Sequence, residues 1–277
     1  MITAAVTRML VNAGANLEAA ERTGGWTPLM IAAGEGHSKV VGILLNKGAD
    51  LSGADLSVVD KWGSSVLIIS ACSGHVAVTG MLVTAGANLE TAEPQGWTPL
   101  IVAVYKGHSQ AVRILLNKGA ELSVVDEWGS TALIISARLG HVAVTGMLVN
   151  AGANLDTADA QGWTPLMVAA SKGHSQVAGI FLNKGANVSV VDRRGNTALI
   201  ISAGHGHVAV TRMLVNAGAD LDAPDSAGFT PLHMAAVKDH SEPAAVVRKL
   251  IEQLGIQGCG GASAGADALR WAVQTQQ

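Results

Sequence analysis

The stretch "GWTPLMVAASKGHSQVAGIFLNKGA" occupies residues 162–186, and variants of it recur along the chain. Its first five residues, "GWTPL", also stand at residues 25–29 and 96–100. Near-copies of this pentapeptide stand at residues 63–67, 129–133, 195–199 and 228–232. After a first step of 38 residues, which contains the duplication "ADLSGADLS" at 49–57, each opening glycine follows the previous one by 33 residues. A fixed period of this length predicts a stack of like supersecondary units.

The start of each copy carries the signals of a short helix. In the quoted copy, Thr164 is a good N-cap, and Pro165 suits the first helical position, where its missing N–H costs nothing. Leu166, Ala169 and Ala170 then follow at the spacing of one helical face. The sequence therefore predicts a short first helix with one apolar face.

A second helix is predicted after Gly173, which ends the first one. Ser175 is its expected N-cap, and Gly185 is its expected left-handed C-cap. Its apolar face consists of Val177, Ile180, Phe181 and Leu182. An extended loop then leads to the next opening glycine. Because neither helix is long enough to be stable alone in water, each repeat must be stabilised by its neighbours.

These residues resemble the ankyrin repeat. Residues 98–120, "TPLIVAVYKGHSQAVRILLNKGA", carry nearly the whole family pattern, and the resemblance covers residues 5–256. It implies an all-α fold, an ankyrin-repeat solenoid of helix-turn-helix units with projecting β-hairpin loops. Three copies lack the proline of the pattern but keep a hydroxyl residue as the expected cap: Ser65, Thr131 and Thr197.

The repeats define the domain organisation. Residues 1–24 match only the second helix of a repeat, so they are read as a partial N-terminal repeat. Residues 258–266 form a glycine-rich linker, and residues 267–277 restate the start of a further, incomplete repeat. The longer segment at 239–255 predicts a capping helix. The repeats of residues 25–257 begin at Gly25, Gly63, Gly96, Gly129, Gly162, Gly195 and Gly228.

Composition excludes several classes of function. Apolar residues make up 49% of the 277-residue chain, so a buried core is expected. The net charge of −3 is too small to indicate binding to nucleic acid or to a membrane surface. Cys72 and Cys259 make neither a disulfide framework nor a metal-ligand set. These features predict a reducing compartment, the cytoplasm, with the nucleus as the alternative.

One segment has the low charge of a membrane span. Residues 62–89 contain no Lys, Arg, Asp or Glu. However, the segment holds several serines and glycines, and its sister copies carry Arg138 and His205. A buried pair of stacked helices explains the segment better, and no membrane insertion is expected.

A histidine recurs at the turn between the two helices of every copy: His37, His75, His108, His141, His174, His207 and His240. The resemblance implies that this side chain ties turn backbones together. The alternative is a ladder of metal ligands. Helices of neighbouring layers lie about 8–10 Å apart, whereas zinc ligands lie about 2.0–2.1 Å from the metal. One histidine per layer does not complete a coordination sphere, so no metal is expected.

The sequence contains no catalytic pattern. Ser, Asp and His recur in every repeat, which is typical of a scaffold rather than of one active site. A glycine-rich phosphate loop, a zinc-protease helix and a kinase signature are all missing from the sequence. We therefore expect no enzymatic activity and no cofactor.

The resemblance also implies where a partner binds. In ankyrin proteins, the loop positions around the opening glycine and the last residues of the first helix line the concave face. Carried over to this chain, these positions include Glu35, Ser73, Glu127, Leu139, Asn196 and Lys238. The residues among them that are predicted to bind a partner are Trp26, Lys61, Trp62, Trp97, Tyr105, Lys106, Trp128, Arg138, Trp163, Lys172, Arg193, Arg194, His205 and Phe229.

Aromatic and cationic side chains dominate this set. Trp, Tyr and Arg are the residue types that most often form interface hot spots, so the set predicts a site for an acidic, partly apolar protein or peptide. Trp62 and Trp128 are expected to be exposed at loop tips. For Trp26, Trp97 and Trp163 a second interpretation stays open, in which each ring packs on the adjacent hairpin and fills space.

Two functions are consistent with this sequence. The first is a non-catalytic scaffold or adaptor that binds a partner peptide or protein in its concave groove. The alternative is the regulatory ankyrin segment of a larger enzyme or ion channel whose other domains lie outside this chain.

Overall fold

The computed structural model describes residues 2–46 and 54–237. It divides into two compact units, Met1–Glu127 and Trp128–Gln277, which we call the first and the second unit. The named elements of the described residues are all helices, and an isolated antiparallel bridge joins Val59 to Ser65. This bridge lies in a loop that projects between two helices, so the loop is a short hairpin turn.

The helices of the first unit are α1 (Ile2–Asn12), α2 (Pro28–Gly34), α3 (Ser38–Leu45), α4 (Val66–Ser73), α5 (Val76–Thr84), α6 (Pro99–Tyr105) and α7 (Ser109–Asn117). The helices of the second unit are α8 (Ala132–Leu139), α9 (Val142–Asn150), α10 (Pro165–Lys172), α11 (Ser175–Asn183), α12 (Ala198–Gly204), α13 (Val208–Asn216) and α14 (Pro231–Val237).

Within each unit the helices form two layers. First helices of successive repeats pack side by side, α2 on α4 and α4 on α6 in the first unit, and α8, α10, α12 and α14 in the same order in the second. Second helices form the other layer, from α1 through α3 and α5 to α7, and from α9 through α11 to α13. This is the predicted all-α solenoid of helix-turn-helix repeats.

Some predicted segments lie outside the described residues. These are the capping helix at 239–255, the linker at 258–266, the incomplete repeat at 267–277 and most of the duplication at 49–57. In the partial N-terminal repeat, α1 packs against α3, which is a second helix. The domain boundaries themselves remain predictions.

The first helices begin as the sequence predicts. The hydroxyl of Thr164 accepts a hydrogen bond from the N–H of Met167 at 3.3 Å, and Pro165 is the first helical residue of α10. The repeats without the proline use their hydroxyl residues in the same way, as Ser65 does for α4 and Thr131 for α8. Each cap satisfies one otherwise unpaired N–H and contributes about 1 kcal/mol.

The second helices begin differently from the prediction. The N-cap of α11 is His174, which makes no side-chain capping bond, and Ser175 is the first helical residue. The histidine side chain is used elsewhere, in a contact with the preceding repeat. At the other end, Lys184 caps α11 and the left-handed Gly185, with φ of 81°, follows it.

The first helices are buried on all sides. In α10, all five residues from Leu166 to Ala170 are at most 4% exposed, although the sequence predicts one apolar face. The reason is that α10 packs between α8 and α12 and also on its own second helix, α11. A helix that is apolar around its whole circumference is stable only in such a position.

Alternate repeats join their two helices in two different ways. Three repeats contain a fully buried hydroxyl pair with oxygen–oxygen distances of 3.2, 3.0 and 3.0 Å: Ser70–Thr79, Ser136–Thr145 and Ser202–Thr211. Three other repeats have buried apolar pairs at the same positions: Ala32–Val41, Ala103–Val112 and Ala169–Ala178. The closer sequence match between alternate repeats therefore corresponds to two kinds of core.

We expect Ser136→Ala to lower the free energy of unfolding by about 1–2 kcal/mol, because the buried Thr145 hydroxyl loses the oxygen that accepts its hydrogen bond. Adding Thr145→Val reproduces the Ala103–Val112 pair and should restore most of the loss. Urea unfolding of wild type, single and double variants measures the difference. A double variant less stable than Ser136→Ala would contradict this account.

A histidine side chain joins a repeat to the one before it. The Nε2 atom of His108 donates a hydrogen bond to the carbonyl oxygen of Cys72 at 3.0 Å. Equivalent bonds join His75 to Gly34, His174 to Arg138 and His207 to Ser171. Because a carbonyl oxygen only accepts, Nε2 carries the proton. For these four histidines the structure confirms the predicted tie between turns.

The same histidine makes a glycine necessary in the preceding repeat. Gly74 ends α4 with a φ of +73°, and a Cβ atom there would lie 2.8 Å from the His108 ring. Gly86 has a similar φ of +88°, but nothing lies within 4 Å of its would-be Cβ. Gly74 is therefore required both by its backbone conformation and by the ring beside it.

These two glycines form a matched pair for mutagenesis. Gly86→Ala should cost about 1–2 kcal/mol, the price of placing an L-residue in the left-handed region. Gly74→Ala should cost at least about 1 kcal/mol more, because the added methyl displaces His108 from the Cys72 carbonyl. Chemical denaturation of both variants gives the two values. Equal losses would show that the His108 contact contributes nothing.

Candidate functional site

The loops between repeats share one turn. In the tip at 192–196, the Oδ1 atom of Asp192 accepts hydrogen bonds from the N–H groups of Arg194 and Asn196, each at 2.8 Å. Asp60, Asp159 and Asp225 accept the corresponding pair of bonds at 2.8–2.9 Å. The carboxylate thus fixes the turn, and the two residues that follow it form the tip.

Successive tips are hydrogen-bonded through their backbones. In the second unit, Ala160 N–H donates to Trp128 O at 3.0 Å, Arg193 N–H to Gln161 O at 3.3 Å, and Ser226 N–H to Arg194 O at 2.9 Å. In the first unit, Lys61 N–H donates to Gly24 O and Glu127 N–H to Gln95 O. Since only backbone atoms take part, tip side chains can vary without loss of these bonds.

The predicted binding residues fall into three groups, and the first lies at the tips. Trp62 is 60% exposed and Trp128 is 50% exposed, as the sequence predicts. Arg193 and Arg194 are also exposed. Lys61 is exposed but engaged, because its Nζ atom donates hydrogen bonds to Arg22 O at 2.6 Å and Thr23 O at 2.8 Å.

The second group follows the opening glycine and is half-buried: Trp26, Trp97, Trp163 and Phe229. The Nε1 atom of Trp26 donates to Asp60 Oδ2 at 3.0 Å, and its ring lies against Gly34 at the end of α2. The ring of Trp97 lies 4.8 Å from that of Tyr105. Trp26 and Trp97 therefore pack on their own first helices, and each still leaves part of its ring exposed.

The third group lies at the ends of the first helices. The Nζ atom of Lys106 lies 5.7 Å from the centre of the Tyr105 ring, which is itself 43% exposed. Arg138 is half-buried and donates to Ser130 Oγ at 2.9 Å. The Nδ1 atom of His205 donates to Ile201 O at 2.8 Å. Lys172 is exposed at the end of α10.

The structure adds one residue that the sequence argument missed, Gln161. Gln161 and Asn196 line a pocket of ≈ 500 Å³ with Trp163, Arg193 and Arg194. Both amides occupy positions equivalent to predicted residues, since Gln161 precedes its opening glycine as Trp62 does, and Asn196 follows its glycine as Trp163 does. Aligning the tips would have found Gln161, whereas choosing by residue type did not.

Two exposed carboxylates of the first unit have lowered pKa values. Hydrogen bonds from the Thr23 hydroxyl and N–H, and from the N–H groups of Gly24 and Trp26, lower the pKa of Glu21 to about 2. The hydroxyl and N–H of Ser57 lower the pKa of Asp55. Both carboxylates stay ionised at neutral pH, because they are used to fix loop backbone.

The structure also bears on metal sites, reactive side chains and membrane spans. In residues 2–46 and 54–237, no group of three or more His, Cys, Asp or Glu side chains is arranged to hold a metal ion. His205 and His207 stack with parallel rings 5.9 Å apart, and Cys72 is a free, half-buried thiol. No helix in that part of the chain is both long enough and apolar enough to cross a membrane.

Comparison with known proteins agrees with this architecture. The family model described as "Ankyrin repeats (3 copies)" matches residues 50–126, 119–192 and 180–259, and "Ankyrin repeat" matches residues 24–61. The chain belongs to the ankyrin repeat family. Ankyrin repeats are generally protein–protein interaction modules and are typically non-catalytic.

A solved structure and the curated proteins give different results. The chain is similar to the crystal structure of the ankyrin repeat domain of Bcl-3, described as a unique member of the IkappaB protein family. That match has 27% sequence identity and a TM-score of 0.73, and it covers 81% of this chain and 99% of the Bcl-3 domain. No curated protein matches the chain.

Two of the half-buried tryptophans, Trp26 and Trp97, provide a test of how much an indole hydrogen bond contributes to stability. Trp26 Nε1 is bonded to the buried Asp60, whereas Trp97 Nε1 is buried without a hydrogen-bond partner. Phenylalanine removes the N–H from either site. Trp26→Phe should therefore be less stable than Trp97→Phe by about 1.5–3 kcal/mol, the value of a hydrogen bond to a charged group.

Thermal and urea unfolding of these two variants, each compared with wild type, measures this difference. Both substitutions lose a similar amount of ring area, so the comparison isolates the N–H group. If the two variants lost equal stability, the Trp26–Asp60 bond would be shown to have no net effect.

Proposed function

We propose that this protein is a non-catalytic scaffold or adaptor that binds a partner protein or peptide through its loop tips and the ends of its first helices. The observation that carries the proposal is the exposure of Trp62 and Trp128 at the tips. A tryptophan gains little from an exposed position on a free protein, whereas it is among the residues that contribute most when an interface buries it.

The pattern of variation supports the same surface. The two tip residues are Lys61 and Trp62 in one loop but Ser226 and Ala227 in another, although the turn and its hydrogen bonds are the same. The repeat cores are far more alike, with "LIISA" at both 133–137 and 199–203. Side chains that differ while their backbone stays constant are available for recognition.

The charges of this surface favour an acidic, partly apolar partner. Lys172, Arg193 and Arg194 are exposed, and their side chains make no hydrogen bond or ion pair with the described residues. A protein that exposes both aromatic rings and free cations suits a peptide that carries both apolar side chains and carboxylates. Because the chain has only two cysteines and Cys72 is free, we place this activity in a reducing compartment, the cytoplasm or the nucleus.

The test replaces both exposed tryptophans with the residue that other tips have. Gln95 and Gln161 occupy the position of Trp62 and Trp128 in their own loops, so Trp62→Gln with Trp128→Gln keeps the turn intact. We expect this double variant to lose at least about tenfold in affinity for a partner that the wild type captures, because hot-spot residues each contribute 2 kcal/mol or more. Quantitative mass spectrometry of captured proteins, followed by direct titration, gives the ratio.

A matched control is Val76→Ser with Val142→Ser, which removes two similarly exposed apolar side chains from the second helices. The control should bind as wild type does, and all three proteins should melt within about 2 °C of one another. Equal capture by the tryptophan variant and wild type would contradict the proposal. Loss of capture by the control variant would assign binding to the other layer.

A further inference from the structure

One pocket of the second unit is lined by two arginines whose side chains have no hydrogen-bond partner among the described residues. It lies between the tips at 159–163 and 192–196 and has a volume of ≈ 500 Å³. Arg193, Arg194 and Trp163 are among the residues that line it. Neither guanidinium makes a hydrogen bond or an ion pair with the described residues, and neither does the Trp163 indole N–H.

The acidic residues of the pocket, Asp159 and Asp192, accept hydrogen bonds from the loop backbone. Asp159 Oδ1 accepts the N–H groups of Gln161 and Trp163, each at 2.9 Å. Asp192 is 7% exposed and accepts two backbone N–H groups as well as the Asn196 side-chain amide at 3.0 Å. The formal charges of the pocket balance, but both aspartates accept backbone N–H groups whereas the two arginine side chains donate to no described residue.

Neighbouring tips leave the two arginines unopposed. The tip before them carries Ala160 and Gln161, and the tip after them carries Ser226 and Ala227, so neither supplies a carboxylate between its capping Asp and its glycine. The cation of a first-unit tip, Lys61, instead donates to two backbone carbonyls of the preceding loop. The side chains of Arg193 and Arg194, unlike that of Lys61, thus make no hydrogen bond or ion pair with the described residues.

We propose that this pocket binds the carboxylate of an aspartate or glutamate in an acidic peptide. Arg193 and Arg194 donate to the carboxylate oxygens, and the half-buried Trp163 ring receives an apolar side chain next to the acid in the peptide. Planar guanidinium groups suit this ligand because two N–H groups match two carboxylate oxygens. The inference rests on the proposed partner-binding function and names the part of the partner that this site recognises.

Nucleic acid suits the pocket less well than a peptide. A phosphate backbone needs a run of cations along its path, whereas this pocket has two arginines with Asp159 and Asp192 beside them. The whole chain also carries a net charge of −3. A short acidic segment delivers one or two carboxylates without the repulsion that a polyanion would meet.

The experiment uses the full chain and a defined probe. The probe is a fluorescein-labelled hexapeptide of glutamate and leucine, Glu-Leu-Glu-Glu-Leu-Glu, and its control has glutamine in place of every glutamate. Fluorescence anisotropy compares wild type with the double variant Arg193→Gln and Arg194→Gln. A matched control, Lys184→Gln with Arg212→Gln, removes the same charge from exposed sites on the second-helix side of the same unit.

We expect the Arg193/Arg194 variant to bind the acidic peptide at least about tenfold more weakly than wild type, with the matched control unchanged and the glutamine peptide bound by none of them. Binding should also weaken as salt is raised. Equal affinities for the Arg193/Arg194 variant and its control would overturn the proposal. Tight binding of a labelled DNA duplex that displaces the peptide would overturn it in favour of nucleic acid.

Failure of this inference is distinguishable from failure of the proposed function. If the Trp62/Trp128 variant loses the captured partner while the Arg193/Arg194 variant keeps both partner and peptide, the carboxylate site is wrong and the scaffold function stands. If the acidic peptide depends on the two arginines while the Trp62/Trp128 variant captures every partner that wild type captures, the pocket stands and the wider surface is wrong.

Discussion

Burial of each short first helix between its neighbours is the interaction on which this structure depends. The first helices contain only seven or eight residues, whereas an isolated helix needs about 12–15 residues to be even marginally stable in water. In α10, every residue from Leu166 to Ala170 is buried by α8, α12 and α11. No repeat can therefore fold alone, and the stability of each unit comes from contacts between adjacent repeats.

This constraint leaves the loop tips free to vary. Four tips are held by an aspartate that accepts backbone N–H groups, and successive tips are joined by backbone hydrogen bonds. Neither kind of bond depends on the two side chains at the tip, so tryptophan, arginine, glutamine and alanine all occupy the same backbone. The repeats thus separate stability, which lies in the helices, from recognition, which we assign to the tips.

Small residues have strict roles in this arrangement because the layers are closely packed. Gly74 must lack a side chain because the His108 ring occupies the space that a Cβ atom would need. The Ser136 and Thr145 hydroxyls are tolerated at zero exposure because they bond to each other. Where Ala103 and Val112 take their places, the same position is apolar. The two hydroxyls bond to each other and the two apolar side chains need no partner, so neither kind of pair leaves a buried polar group unpaired.

The sequence alone determined the repeat period, the helix pair in each repeat, the caps at Thr164, Ser65 and Thr131, and the exposure of Trp62 and Trp128. These features follow from local rules of capping, periodicity and turn chemistry, which act over a few residues. Only the tertiary structure decided that Lys61 and Arg138 are engaged within the protein while Arg193 and Arg194 are free. It also brought Gln161 and Asn196 to one pocket. The Lys61 contacts and the pocket join residues about one repeat apart, and Arg138 reaches Ser130 across its own repeat. No local pattern records which donor meets an acceptor in such contacts.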